Sequence, residues 1–266
     1  NSTAEGYPNS VINETFTMML AARLGLNVPK VWHLYLPEPA FIIERFDRAP
    51  GPDEPLRLHV LDGTQMLNEP SYNKYSSETF PKLKDLIEQC RNKAAARLEV
   101  FRWIVFNTMV GNSDSHLKNI SFIVDHEGRR VSPFYDLLCT AVYHTRVFLD
   151  EGAVWPNEKL ASPVAGANFF SEVTYDKLID TGLELGLSKS AAGREVGKIV
   201  GRLADAADEI IAQMESILAD PAAPQGAPSP MTKAAERRML RSIRAIVIAD
   251  MLRYVRLPVA AAKEPQ

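Results

Sequence analysis

The chain has 266 residues, enough for one large domain or two small lobes with a substantial core. Its 46% hydrophobic and 24% charged content is that of an ordinary soluble globular protein, and a net charge of -3 argues against a broadly basic nucleic-acid-binding surface, though not against a local patch. Two cysteines, Cys90 and Cys139, are too few for a disulfide framework and point to a reducing cytoplasm, and no run approaches the roughly 18–20 apolar residues of a membrane span.

The opening residues, Asn1 to Ser10, are polar and lack the build of a signal peptide. With no initiator methionine, the sequence is expected to start inside a longer protein or after a removed segment. Asn13–Gly25 reads as a helix with Asn13 as N-cap, Phe16, Leu20 and Leu24 on one face, and Gly25 as the stop. Val31–Leu36 and Ala40–Phe46 read as strands joined by Pro37-Glu38-Pro39, and Asp47 to Leu56 as loop. From Leu58 the pattern is helical: His59–Asn68, then Glu78–Cys90 after a polar Ser71–Ser77 loop, then about Lys93–Val110 with one apolar face carrying Leu98, Phe101, Val105 and Met109. Ser121–Val124 and Arg129–Ser132 flank a turn and predict a short β-hairpin. Ser188–Leu218 and Pro230–Arg256 read as helices separated by a Pro- and Ala-rich linker, Asp220–Pro230. The expected class is α+β: a small α/β lobe followed by a large, mostly helical one.

The stretch Gly111-Asn112-Ser113-Asp114-Ser115-His116-Leu117-Lys118-Asn119 packs polar groups between a helix and a strand. Phosphoryl transfer needs a carboxylate to orient the attacking hydroxyl and take its proton, and oxygen ligands that hold Mg²⁺ against nucleotide phosphates. A kinase catalytic loop places Asp and Asn five positions apart, the separation of Asp114 and Asn119. The hairpin then returns Asp136 beside that loop as a second metal ligand, although Phe134-Tyr135-Asp136 is not the usual Asp-Phe-Gly spelling. Lys118 is placed to face the transferring group, and His116 to donate to a phosphate or hold the loop. By spacing alone, the favoured reading is a polar helix-to-strand turn that uses these residues as caps and Asx-turns.

Gly111–Ser121 resembles the catalytic loop of the HipA-like serine/threonine kinases, whose pattern is close to Gly-Asn/Ala-x-Asp-x-His-x-Lys-Asn-x-Ser. Pro133-Phe134-Tyr135-Asp136 is similar to their metal-binding motif, and Glu44-Arg45-Phe46-Asp47-Arg48 to their hinge. Asn13-Glu14 with Met19–Pro29 resembles their regulatory helix, Glu14 standing where a glutamate pairs with the ATP-binding lysine. His59–Leu67, with Asp62 and Gln65, and Lys74-Tyr75 are similar to the segment after the hinge. The likeness runs from Tyr7 to Tyr143 in the family's order.

That resemblance implies a bilobal protein-kinase-like fold, with residues 1–50 the remnant of the N-terminal lobe ending at the hinge and 51–266 the helical C-terminal lobe. It implies ATP and Mg²⁺ as cofactors and Asp114 as general base. His116, Leu117, Lys118 and Asn119 would contact the nucleotide phosphates, and Asn119 and Asp136 would hold Mg²⁺. Glu44, Arg45 and Phe46 would meet the adenine, and Tyr135 would line the nucleotide site. Known members are toxins neutralised by a DNA-binding helix-turn-helix antitoxin. Some phosphorylate aminoacyl-tRNA synthetases and arrest growth, so the implied partners are a HipB-like antitoxin, a protein substrate, and DNA through the antitoxin.

No lysine and a single glycine, Gly6, precede Asn13, so the ATP-binding lysine and phosphate-covering loop are missing. A truncated sequence is the expectation, with a degenerate relative as the alternative. The rival functions are a small-molecule or lipid kinase, and a non-catalytic scaffold or co-repressor. His33, His59, His126 and His144 lack metal-ligand spacing. Cys139 reads as a small core residue. Arg237, Arg238, Arg241 and Arg244 read as a solvated helix face, with an acidic partner or DNA backbone as the minority reading.

Overall fold

The computed structural model of the protein describes residues 7–70, 79–149, 151–219 and 228–258. Helix α1 (Ser10–Arg23) starts three residues earlier than the sequence suggests, after Asn9. Asn13 is therefore not its cap; it lies inside the helix and is wholly buried. The helix ends as expected at Gly25 (φ +84°), where Leu26 N–H donates to Ala21 C=O at 3.0 Å and Gly25 N–H to Ala22 C=O at 3.1 Å. That pair is a Schellman closure, which needs the left-handed conformation glycine adopts without strain. Strands β1 (Val31–Tyr35) and β2 (Pro39–Ile43) pair antiparallel, Val31 opposite Ile43. The expected loop after them contains two short paired strands, β3 (Arg48–Ala49) and β4 (Leu56–Arg57).

The helix expected over His59–Asn68 is not formed. His59–Asp62 is strand β5, laid antiparallel against β6 (Ser121–Asp125), which pairs with β7 (Gly128–Val131) as predicted. Val60 and Leu61 suit either state in isolation, and the free edge of the β6–β7 hairpin decides it. Only the four-residue helix α2 (Gly63–Met66) remains, with Asp62 as N-cap and Gln65 completing a capping box. The Ser71–Ser77 loop, Lys74 and Tyr75 lie outside the described residues, as does most of the Asp220–Pro230 linker.

Helix α3 (Thr79–Glu88) leads to α4 (Lys93–Met109), capped by Asn92 Oδ1 accepting from Ala95 N–H at 3.0 Å. The single apolar face expected of α4 is an understatement. From Val100 to Met109 every residue except Arg102 is buried, as in a helix enclosed on all sides. Between Tyr143 and Ser188, where the sequence offered no element, strands β8 (Lys159–Val164) and β9 (Ala167–Phe169) and helix α5 (Tyr175–Glu184) form. Helix α6 (Lys189–Ala219) follows. The last predicted helix is α7 (Pro230–Ser242), a π-helical stretch (Ile243–Ile248) and α8 (Ala249–Tyr254).

One hydrophobic core joins Phe16 and Leu20 of α1, Phe101 and Phe106 of α4, Leu203 and Ile210 of α6, and Val247 near the C-terminus. Burying each such side chain contributes about 1.5–3 kcal/mol. Among the described residues no helix is long and apolar enough to cross a membrane, and both cysteines are free and buried.

Candidate active site

The loop carrying Asp114 begins where α4 ends. Gly111 (φ +69°) closes that helix in a second Schellman arrangement, with Asn112 N–H donating to Asn107 C=O at 2.9 Å and Gly111 N–H to Thr108 C=O at 3.3 Å. Gly111 is also pressed against the C-terminal helix: a Cβ there would lie 2.6 Å from Val247 Cγ1 and 2.9 Å from Ala141 Cβ. Asn112 then folds into an Asx-turn. Its Oδ1 accepts from Asp114 N–H at 3.0 Å while its Nδ2 donates to Asn107 Oδ1 at 2.7 Å. Asp114 C=O accepts from His116 N–H and from Asn119 Nδ2, both at 2.9 Å. The Asp114 backbone is thus held from both sides, while its carboxylate is 42% exposed and 3.8 Å from His116 Nε2.

Asn119, half-turned in the 3₁₀ segment Leu117–Asn119, is nearly buried. With its Nδ2 engaged by Asp114, its Oδ1 is the group left for a cation. Lys118 is half-buried, and among the described residues its ammonium forms no ion pair. Leu117 is a core residue at 1% exposure, so only its backbone can face a ligand. The Leu117 carbonyl also sets a steric limit, because a Cβ on Gly63 would come within 2.6 Å of it. Asp62 and Gln65 cap the short helix that makes this contact.

Tyr135 ties three of the expected pieces together. Its hydroxyl donates to Lys118 C=O at 2.9 Å and lies 2.6 Å from Ser121 Oγ, and its ring stacks on Phe46 with centroids 5.7 Å apart. Burial raises its phenol pKa. Phe46 is thereby joined to the loop, but Glu44 and Arg45 present exposed side chains. Glu44 N–H is engaged by Lys30 C=O at 2.9 Å, and the Arg45 guanidinium grips Asp47 through bonds of 2.7 and 2.6 Å. Only the Glu44 carbonyl and the backbone of residues 45 and 46 remain for a hinge role.

Asp136 has φ +56°, a left-handed conformation that aspartate tolerates better than most residues. Its charge is felt by Glu14 of α1. Burial lifts the Glu14 carboxyl to about 7, and the Asp136 charge adds to the rise. Behind Asp136, Asn13 clamps Cys139 through two 2.8 Å bonds, Nδ2 donating to its carbonyl and Oδ1 accepting from its N–H. Sequence reasoning missed this clamp because a buried asparagine and a helix cap share the same letter. The paired carboxyl groups of Asp136 and Glu14, and the Asn119 Oδ1 left over by the bond to Asp114, are oxygen donors of the kind a divalent cation takes. Among the described residues no group of three His, Cys, Asp or Glu side chains forms a metal cage. A carboxylate and an amide oxygen are the partial donor set that Mg²⁺ completes with phosphate oxygens and water. The Arg241 and Arg244 side chains, by contrast, are engaged by Glu215 and Asp208 of α6, far from this loop in sequence.

The family model described as HipA-like C-terminal domain matches residues 2–216. The serine/threonine-protein kinase toxin HipA of Shewanella oneidensis is 36% identical over 156 residues, 52% of this chain and 36% of that protein. The solved complex of Shewanella oneidensis HipA with HipB and operator DNA superposes with a TM-score of 0.74 at 27% identity, covering 93% of this chain and 56% of that one. The Helicobacter pylori proinflammatory kinase CtkA shares the fold at a TM-score of 0.54 and 14% identity, covering 95% of this chain and 87% of that one. The chain therefore spans little more than a third of the curated toxin's length and about half of the solved HipA chain. The architecture is α+β and protein-kinase-like, and the chain belongs to the HipA-like C-terminal domain family.

Proposed function

We propose that this chain carries the phosphoryl-transfer centre of a HipA-like serine/threonine protein kinase. The observation that supports it most is the double anchoring of the Asp114 backbone together with its exposed carboxylate. In this reading Asp114 accepts the proton of a serine or threonine hydroxyl whose oxygen bonds to the γ-phosphorus of ATP, the bond to the β–γ bridging oxygen breaks, and ADP leaves. Lys118 and the backbone of residues 116–119 steady the phosphates. Asn119 and Asp136 hold Mg²⁺, which when bound neutralises charge on the phosphate oxygens. Phe46, Tyr135 and the hinge backbone of residues 44–46 receive the adenine.

The acceptor class favoured by the family likeness is a protein hydroxyl, with aminoacyl-tRNA synthetases the first to assay. A HipB-like antitoxin that brings DNA with it is the proposed partner, since the HipA of the solved complex is bound to HipB and operator DNA. The test is transfer from γ-labelled ATP to lysate proteins by the protein expressed from its complete gene. Label in protein that disappears with Asp114→Ala supports the reading. Label confined to small molecules, or unchanged by Asp114→Ala, overturns it.

A further inference from the structure

We propose that Glu158 is a positioning residue for the Asp114 loop, acting through Ser113 and itself fixed by the C-terminal helix. The inference rests on the phosphoryl-transfer reading of Asp114 given above. Glu158 lies just before β8, in a stretch where the sequence carries no motif. Its Oε1 accepts from Ser113 Oγ at 2.6 Å and lies 3.4 Å from Nε2 of His144, a half-exposed side chain. Ser113 immediately precedes Asp114. Its N–H donates to Thr140 Oγ1 at 2.6 Å, its hydroxyl is 2.8 Å from the same oxygen, and Thr140 Oγ1 donates to Gly111 C=O at 3.2 Å. Glu158 therefore closes a hydrogen-bond network that ties Ser113, the residue before Asp114, to Thr140 and Gly111.

Glu158 is held firmly enough to serve as that anchor. Its carbonyl accepts from Phe170 N–H at 3.1 Å, and Val154 and Trp155 donate their N–H groups to His144 C=O at 3.1 and 3.2 Å. The Trp155 indole N–H donates to Asp250 Oδ2 of α8 at 2.9 Å. A path of direct contacts thus runs from α8 through Trp155, His144 and Glu158 to Ser113. The carboxylate is mostly buried, its Oε2 has no hydrogen-bond partner among the described residues, and burial raises its pKa. A buried carboxylate with one oxygen unsatisfied is a poor choice for stability alone, so its presence here calls for another reason. Placing Asp114 supplies one, because small displacements of a catalytic group from its productive geometry cost large factors in rate.

Two readouts on the same proteins test the assignment: amide hydrogen exchange of residues 111–116, and steady-state transfer with varied ATP. Glu158→Ala is expected to speed exchange in that segment at least about tenfold and lower kcat roughly 10–100-fold, with KM for ATP within about twofold. Glu158→Gln keeps an oxygen for Ser113 Oγ and is expected to recover most of both. Ser113→Ala breaks the same bond without touching residues 154–158, and should reproduce the Glu158→Ala pattern even where that variant folds poorly. Exchange and kcat unchanged in Ser113→Ala and Glu158→Ala would overturn the proposal. So would a Glu158→Gln as impaired as Glu158→Ala. A wild-type protein that transfers no phosphate would count against the phosphoryl-transfer reading, and the exchange pattern would then decide the Glu158 assignment by itself.

Discussion

Replacing Asn13 with alanine removes both halves of the clamp on Cys139. The Asn13 amide donates to the Cys139 carbonyl and accepts from its N–H, each at 2.8 Å, where Asn13 is fully buried and Cys139 likewise. Cys139 is then left with a buried donor and a buried acceptor that face no partner. Each such group costs about 1–3 kcal/mol, and a water entering the vacated space recovers part of that, so the net loss is about 2–4 kcal/mol. At roughly 2–4 °C per kcal/mol for a domain near this size, Tm should fall by about 5–15 °C. Circular dichroism melts are sufficient to measure it. Thr17→Val serves as a control, since the Thr17 hydroxyl reaches Asn13 Oδ1 only at 3.4 Å and its removal should be nearly silent. Asn13→Asp keeps the shape but turns a carboxylate oxygen toward the Cys139 carbonyl, and should be at least as damaging at neutral pH. A Tm for Asn13→Ala within about 2 °C of wild type would refute the reasoning, because the clamp would then contribute too little to hold the segment that follows Asp136.

Glu14→Gln should stabilise the metal-free protein, and more so at higher pH. The carboxyl ionises near 4.5 when unfolded and near 7 when folded, so the unfolded chain loses its proton first. Wild-type stability therefore falls as pH rises from about 4.5 to about 7, by up to about 3 kcal/mol, and levels off above. Equal gains for Glu14→Gln at pH 4.5 and pH 8 in EDTA would contradict this. Gly111→Ala should destabilise by about 2–5 kcal/mol in urea titrations, from a left-handed backbone and from crowding of Val247 and Ala141; a loss near zero would mean that the loop does not rest on the C-terminal helix. Tyr135→Phe keeps the stack on Phe46 but loses the hydroxyl contacts to Lys118 C=O and Ser121 Oγ. It should cost about 1 kcal/mol of stability and weaken ATP binding measured by calorimetry, whereas unchanged binding would separate the Tyr135 hydroxyl from the nucleotide site.

Much of the candidate site was legible because its chemistry is local. The Gly111–Asn119 string, the hairpin over residues 121–131 and the return to Asp136 lie within one short stretch, and turn and cap rules govern all three. The long-range partners were not legible. Nothing in a single sequence marks Asn13 as a clamp rather than a cap, and Glu158 sits in a segment without periodicity. The β5 segment failed for the same reason: its state depends on an edge supplied by residues 121–124, which a local window does not contain. The Glu44–Arg48 string was readable as a hinge-like motif, but the engagement of Arg45 by Asp47 and of Glu44 N–H by Lys30 is a product of tertiary and turn geometry.

The seating of Gly111 on Val247 also has a temporal side. A polypeptide leaves the ribosome from its N-terminus, so the segments bearing Asp114 and Asp136 emerge long before the π-helical stretch over Ile243–Ile248. Until that stretch has cleared the exit tunnel, the nascent chain lacks the surface on which the loop is laid. The two carboxylates are thus translated early and their loop is set in place late, and a product interrupted shortly before Val247 would carry them without that support.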